Sequence, residues 1–394
     1  MNFSPQQSEA LDAVGRWLAA GDRPWFYLAG YAGTGKTTIA RHLAEGAGRV
    51  IFAAFTGKAA HVMRRAGCAD ASTIHSLIYH VAEHGRWRLD CLIDAAQEEQ
   101  KKDVPDPELL ADLDAEIREE RKRVGRPIFE LNPDSRIRDA DLLVIDECSM
   151  VDERVANDLL SFEVPILVLG DPAQLPPVYG AGFFTRREPD AFLSEIHRQA
   201  ADNPIIHMAT IVREGGSLAR GEYGSSRVVA PGDFDPLTVG PETQILVGKN
   251  ETRRRANAAR RRRMGFLAEL PEAGERLVCL RNIHDVGLLN GAIWGVVHRG
   301  AACSDFVELT IEDDLGRLTI PVHRAPFEGR EIEHFLRREA AEFDYGYALT
   351  VHKAQGSQWP EVVVVDEAGV FRAEANRWRY TSLTRAIEKV TVIA

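Results

Sequence analysis

The residues of this chain best suited to chemistry are GYAGTGKT, Gly30 to Thr37. The spacing G-x-x-x-x-G-K-[ST] is suited to phosphate. Glycines at 30, 33 and 35 let backbone N–H groups close around phosphate oxygens, and a helix starting just after them adds a favourable dipole. Lys36 would hold the β- and γ-phosphates and Thr37 a Mg²⁺ ion, with Thr34, Gly35 and Thr38 completing the nucleotide-binding candidates beside Gly33. The loop works only between a strand and a helix, and PWFYLAG (24–30) and TIARHLA (38–44) fit those places.

Phosphoryl transfer to water also needs a carboxylate at the metal and a group to orient the water. LLVIDE ends an apolar run with Asp146 and Glu147, the first suited to the metal and the second to the water. VVVVDE offers a second pair, Asp366 and Glu367, and strand pattern alone does not choose between them. Context does. Only the first pair lies upstream of LVLGDPAQLPPV (167–178), whose loop presents Gln174 as a γ-phosphate sensor; the second pair reads as a capped strand end.

The elements that must position these groups are legible as short apolar runs ending in polar turns: 24–30, 49–56, 141–147, 165–171, 243–250, 361–367 and 389–394. Strands buried on both faces have this pattern, and helix-like segments follow most of them. The expectation is α/β with mainly parallel sheets, the first four runs in one sheet and the last three in another. Two stretches break the rhythm. Residues 81–134 are strongly charged (EEQKKD, EIREERKRVGR) and predict a mostly helical insertion, whereas 275–335 hold short, turn-bounded strands expected to form a small β-barrel.

The length of 394 residues suggests two to four compact units. No eighteen apolar residues run together and the first ten lack the features of a signal peptide, so a cytoplasmic protein without membrane association is expected. Five cysteines without a CxxC pair argue against a disulfide framework or zinc ribbon and predict reduced, mostly buried thiols. A net charge of −11 speaks against a broadly basic nucleic-acid-binding surface but leaves room for a local basic track.

Weaker signals carry a bland reading beside a functional one. His80, Glu83 and His84 spell an inverted zinc-protease motif, but no third ligand is evident. The run RRRANAARRRR (253–263) predicts a helix with a solvated face, or a phosphate contact through Arg253, Arg254, Arg260 and Arg261. Trp294, Trp359 and Trp378 would be core residues or base-stacking platforms, with Trp359 favoured for stacking by its neighbours. Asn290 and Gly291 read equally as a hairpin turn or a nucleic-acid contact.

Eight segments in order after SPQQSEAL resemble superfamily 1 helicases of the RecD/Dda-like group: GYAGTGKTT, FTGKAA, STIHSL, VIDECSMVD, GDPAQLPPV, EIHRQ, LTVHKAQGSQW and YTSLTRA. The resemblance implies two RecA-like lobes, residues 1–80 with 135–195 and 196–274 with 336–394. It assigns 81–134 as a wedge or pin and 275–335 as an SH3-like barrel. ATP and Mg²⁺ are the implied cofactors, with Gln7 reading adenine, Gly356 near the nucleotide, and Arg198 and Arg385 reaching across the cleft. The implied track is Thr56, Lys58, Thr73, His75, Thr350, His352, Lys353, Gln355 and Ser357, with Trp359 beside it. The expected activity is 5′-to-3′ translocation by a monomer on single-stranded DNA, with unwinding at junctions. A strand-stripping translocase, an RNA-directed enzyme and a nucleotide-dependent binding switch are the alternatives, and any replication or recombination partner is beyond the sequence.

Overall fold

The computed structural model describes residues 3–81, 86–102, 106–124, 129–176, 182–195, 202–281, 283, 288, 290–313, 316–332, 336–337 and 339–394. The chain opens with α1 (Pro5–Ala20), fixed at its start by a capping box in which Ser4 and Gln7 each bond the other's backbone N–H. The first lobe follows as β1 (Trp25–Gly30), α2 (Lys36–Ala44), β2 (Val50–Ala54), α3 (Gly57–Arg65), β3 (Ser72–Thr73) and α4 (Ile74–Ile78). A two-stranded antiparallel ribbon, β4 (Tyr79–Val81) with β5 (Phe129–Leu131), carries the helices α5 (Arg86–Gln100) and α6 (Pro107–Val124), which pack on each other. The lobe resumes with β6 (Leu142–Asp146), α7 (Glu153–Leu160), β7 (Ile166–Gly170) and β8 (Ala191–Leu193).

Its sheet is wholly parallel, in the order β3-β2-β6-β7-β1-β8. The central strands are apolar on both faces because helices cover both, and Leu28, Leu142 to Ile145 and Ile166 to Leu169 are fully buried. This order sets the C-terminal ends of β6, β7 and β1 side by side, the edge at which open parallel sheets bind ligands.

The second lobe starts with α8 (Pro204–Arg213), β9 (Gly221–Tyr223), β10 (Ser226–Val229), β11 (Gln244–Val247) and α9 (Asn250–Arg263). The chain then leaves for β12 (Arg276–Cys279), β13 (Ile293–Ala302), β14 (Phe306–Asp313), β15 (Gly316–His323) and β16 (Phe343–Tyr345), an antiparallel sheet in the order β15-β14-β13-β12-β16. It returns through β17 (Ala348–Thr350), β18 (Trp359–Val365), α10 (Ala375–Leu383) and β19 (Ala386–Ile393). The second lobe's sheet runs β17-β11-β18-β19-β10-β9, parallel except for the β9–β10 hairpin. All seven apolar runs are strands, four in one sheet and three in the other. The antiparallel sheet extends past residue 335, since Phe343 to Tyr345 pair with β12.

The basic run corrects the expectation drawn from it. Arg253 pairs with Asp344 at 2.5 Å, Arg261 makes a two-pronged bond to Glu275 at 2.6 and 2.8 Å and lies 3.9 Å from the Tyr345 ring centre, and Arg260 donates to the carbonyls of Val239 and Gly240. All three are buried, so they hold α9 to the antiparallel sheet and its neighbours and offer nothing to phosphate. Asp366 and Glu367 are a strand end as expected. Glu367 accepts the N–H groups of Gly248 and Lys249 at 2.8 Å, capping the entry to α9, and Asp366 accepts Arg379 at 2.7 Å. Cys68, Cys148 and Cys279 are buried free thiols, and Cys303 is exposed.

Candidate nucleotide site and nucleic-acid track

Gly35 precedes α2 with φ 82°, a left-handed conformation that glycine tolerates, and it lets the chain turn from loop to helix. Lys36 then begins α2 and folds back over the loop, donating to the carbonyls of Gly30 at 2.6 Å and Tyr31 at 3.0 Å. Thr37 Oγ1 lies 3.4 Å from Asp146 Oδ2, at the end of β6, which is separated from β1 by β7 in the sheet. A hydroxyl and a carboxylate at this separation are hard oxygen donors suited to Mg²⁺, which keeps several waters and takes few protein ligands.

Glu147 has φ 55°, ψ 44°, uncommon for a side chain with a Cβ, and its N–H is held by Asp146 Oδ1 at 2.8 Å. That local bond fixes a strained turn which sends the two adjacent carboxyls in different directions. Burial pushes both above the ordinary carboxylate range. Lys36 is the main charge opposing the rise at Asp146 and Arg385 the main one at Glu147.

These groups line a cavity of about 280 Å³ whose opposite wall comes from the second lobe through Gly356, Gln358, Thr384 and Arg385. Arg385 is 2% exposed and bonds the carbonyls of Thr381 and Ser357 and the Thr384 hydroxyl, while Nη1 stands 3.9 Å from Glu147 Oε1. The backbone contacts aim the guanidinium without neutralising it. Gln174 lines the same cavity, and its buried Oε1 has no hydrogen-bond partner among the described residues. Arg198 lies outside the described residues, as do Glu83 and His84 of the zinc-like motif, and no metal-binding cluster occurs among the described residues.

Sequence reasoning passed over the contacts that close the lobes on each other. Tyr380, on α10 and 2% exposed, accepts the Ala32 N–H at 2.8 Å and donates to Asp171 at 2.7 Å. Thr381 Oγ1 accepts the Leu175 N–H at 2.8 Å, and Gln355 donates to the Leu175 carbonyl at 2.8 Å. Arg213, ending α8, stacks 3.8 Å from the Tyr31 ring centre. Asp171, Tyr380 and Thr381 all lie inside motif segments quoted from the sequence, where nothing in the local pattern gives them a role of their own. Only tertiary contact shows their role.

Gln7 is not among the cavity-lining residues. Its amide bonds the Ser4 N–H and the Thr34 carbonyl at 3.0 Å, bracing the phosphate loop from behind. Gly33 and Thr38 line the cavity; Thr34 is buried beneath it.

The track candidates divide in two. Thr56 and Thr73 cap α3 and α4, accepting the N–H groups of Ala59 at 3.2 Å and Ser76 at 3.1 Å, so each marks a helix N-terminus able to face phosphate. Lys58 lies in the first turn of α3, and His75 is half-buried beside the rings of Phe55 and Tyr79. Lys353 is exposed. His352 is half-buried against Phe371, where burial lowers its pKa. Thr350 is buried at the end of β17.

Gln355, Ser357 and Trp359 do not line an open track. Gln355 is committed to Leu175, Ser357 is buried with its carbonyl held by Arg385, and Trp359, 5% exposed, packs in the second lobe's core. Trp294 and Trp378 are also core residues. Gly356 has φ 70°, and a Cβ there would come within 2.6 Å of the Thr56 hydroxyl, so the lobes meet closely at this point. Asn290 lies beside the turn at Gly291, which has φ 83°.

A family described as the AAA domain matches residues 2–229, more than half of the chain, and the UvrD-like helicase C-terminal domain matches residues 345–393. The chain belongs to the RecD/Dda-like superfamily 1 helicases. This superfamily 1 chain is 30% identical over 277 residues to the ATP-dependent RecD2 DNA helicase of Deinococcus radiodurans, a match covering 63% of the chain and 36% of that protein. It is 29% identical over 202 residues to the ATP-dependent DNA helicase dda of Enterobacteria phage T4, covering 47% of the chain and 37% of that protein. The matches thus span little more than a third of these relatives' lengths.

Among solved structures, Pif1 helicase from Candida albicans superposes with a TM-score of 0.51 at 18% identity, over 100% of this chain and 94% of that one. Bacteroides Pif1 bound to ssDNA gives 0.51 at 16%, over 100% and 92%. At these identities the superfamily 1 likeness is one of fold. No helix among the described residues is long and apolar enough to cross a membrane.

Proposed function

We propose that this chain is an ATP-driven motor that moves 5′ to 3′ along single-stranded DNA and unwinds duplex at junctions. The observation that carries this reading is a nucleotide-sized cavity with Lys36, Thr37, Asp146 and Glu147 on one lobe and Arg385 on the other. Hydrolysis at such a site is coupled to lobe closure, because the arginine reaches transferring phosphoryl charge only when the lobes are together. The relatives named as DNA helicases support DNA as the substrate, and the direction is the one the RecD/Dda-like resemblance implies.

In the cycle, Lys36 leaves the carbonyls of Gly30 and Tyr31 for the β- and γ-phosphates. Thr37 and Asp146 would hold Mg²⁺, which would supply charge neutralisation on the phosphates. Glu147 orients the attacking water, Gln174 turns its amide toward the γ-phosphate, and Arg385, with Arg198, meets the charge developing on the transferring group. Gln7 bears on the adenine end through the loop it braces. Phosphates of the strand lie across Thr56, Lys58, Thr73 and His75 on one lobe and Thr350, His352 and Lys353 on the other.

Alternating grip between the two sets moves the strand. The β12–β16 sheet is read as the SH3-like clamp and residues 81–134 as the wedge, on a protein acting as a monomer in the cytoplasm. The experiment is ATP turnover with and without oligo-dT. Strong stimulation that Lys36→Ala abolishes at an unchanged melting temperature supports the reading, and turnover indifferent to the oligonucleotide refutes it.

A further inference from the structure

The run 253–263 contains seven arginines, and the fold divides them sharply. Arg253, Arg260 and Arg261 are buried and bonded to inner partners, as described above. Arg254, Arg255, Arg262 and Arg263 are exposed, and no ion pair or hydrogen bond involves them among the described residues. At 3.6 residues per turn these four fall on one side of α9, with exposed Ala258 and Ala259 between the two pairs. Glu251 is the one acidic residue on that side, at the N-terminal end where it complements the helix dipole.

We propose that this outward face of α9 is a second nucleic-acid site, one that grips the phosphate backbone of duplex ahead of or beside the single-strand track. It takes its duplex substrate from the motor reading above. Four unneutralised arginines on one face of a chain with net charge −11 are a local footprint rather than general basicity. The central alanines leave the face low between the pairs, so a backbone can lie across it. The pairs are eight residues apart, about 12 Å along the helix, on the order of the major-groove width of B-form DNA.

The site is distinct from the track. Asn257, on the opposite side of α9, bonds the carbonyls of Tyr345 and Ala348 and the Ala348 N–H, which fastens that side to edge strand β17 leading to Thr350. The arginine face therefore points away from the sheet that carries the track. The buried arginines make it a rigid platform rather than a loose basic helix. An acidic protein is the alternative partner, but the middle of this face carries only Ala258 and Ala259 and no large apolar anchor, with exposed Met264 and Leu267 lying past the helix's C-terminal end.

The test compares the whole protein with a variant carrying Arg254→Gln, Arg255→Gln, Arg262→Gln and Arg263→Gln, measuring blunt-duplex affinity across a salt series without nucleotide. Four lost phosphate contacts should flatten the slope of log affinity against log salt by about three to four and weaken duplex binding at least tenfold at low salt. Oligo-dT-stimulated ATP turnover should stay within twofold, since none of the four lines the cleft. Unchanged duplex affinity and slope would overturn the proposal. So would a variant that loses binding to oligo-glutamate while keeping duplex. If oligo-dT fails to stimulate the wild type, the motor reading fails, but the duplex comparison still decides this site.

Discussion

The hydroxyl of Tyr380, on the second lobe, donates a 2.7 Å hydrogen bond to Asp171 on the first while accepting the N–H of Ala32 in the phosphate loop at 2.8 Å. One buried oxygen thus ties the second lobe to two points on the first lobe's wall of the cavity. Its proton is firmly held, because burial and then Asp171 raise the phenol pKa.

Tyr380→Phe should keep the fold and lower turnover by about tenfold or more, since it leaves a buried carboxylate and an N–H short of a partner, at about 1.5–3 kcal/mol for a bond to a charged group. Nucleotide affinity should change less than turnover. Steady-state ATP hydrolysis with mant-nucleotide binding checks this, and turnover within twofold of wild type would mean the bridge is incidental.

Glu147 makes stability depend on pH. Its folded carboxyl pKa is raised by burial, so the ionised form destabilises the protein. The cost is absent below the unfolded pKa, grows as pH rises toward the folded value, and is constant above it. Glu147→Gln, measured with chelator and no nucleotide, should therefore raise the melting temperature at pH 8 by a few degrees and lose that advantage by pH 4. The same variant should still bind ATP and stay closed on single-stranded DNA. An equal effect at both pH values would place the cause in packing or backbone geometry.

Arg385→Ala should bind ATP nearly normally yet lose most turnover, because its backbone-aimed guanidinium acts on transition-state charge. Arginine fingers contribute about 10³ to 10⁵ in rate. A single-turnover assay that finds less than a tenfold drop would remove Arg385 from the chemistry.

The helical pair α5–α6 stands on the narrow β4–β5 ribbon. Replacing 86–123, which includes Arg86, Trp87 and Arg88, with a short Gly/Ser linker should spare oligo-dT-stimulated ATP turnover and single-strand translocation. Duplex unwinding should collapse, because separation works against stacking of about 1.4 kcal/mol per base-pair step. Equal loss of all three activities would make the segment structural, and retained unwinding would put the wedge elsewhere.

What could be read from sequence was what depends on local pattern. The seven apolar runs are strands because each is buried on both faces, and GYAGTGKT with LLVIDE is a site because each motif ends a strand in the same sheet. What depends on tertiary partners was hidden. The arginines of α9 could not be sorted into buried and exposed sets without Asp344 and Glu275, which arrive from distant segments. Trp359 looked suited to base stacking beside a track motif, yet the register of β18 turns it into the core. Residues 343–345 were too few to show a strand, and only pairing with β12 reveals one.

Strand displacement on duplexes with a single-stranded tail at either the 5′ or the 3′ end, in DNA and in RNA, with ATP, decides whether the protein is a 5′-to-3′ DNA helicase. ATP-dependent displacement is expected from the 5′-tailed DNA substrate, little from the 3′-tailed one, and none with Lys36→Ala. Displacement that prefers the 3′ tail would contradict the direction, preference for RNA would contradict the substrate, and none from any tailed duplex despite active ATP turnover would contradict the helicase reading.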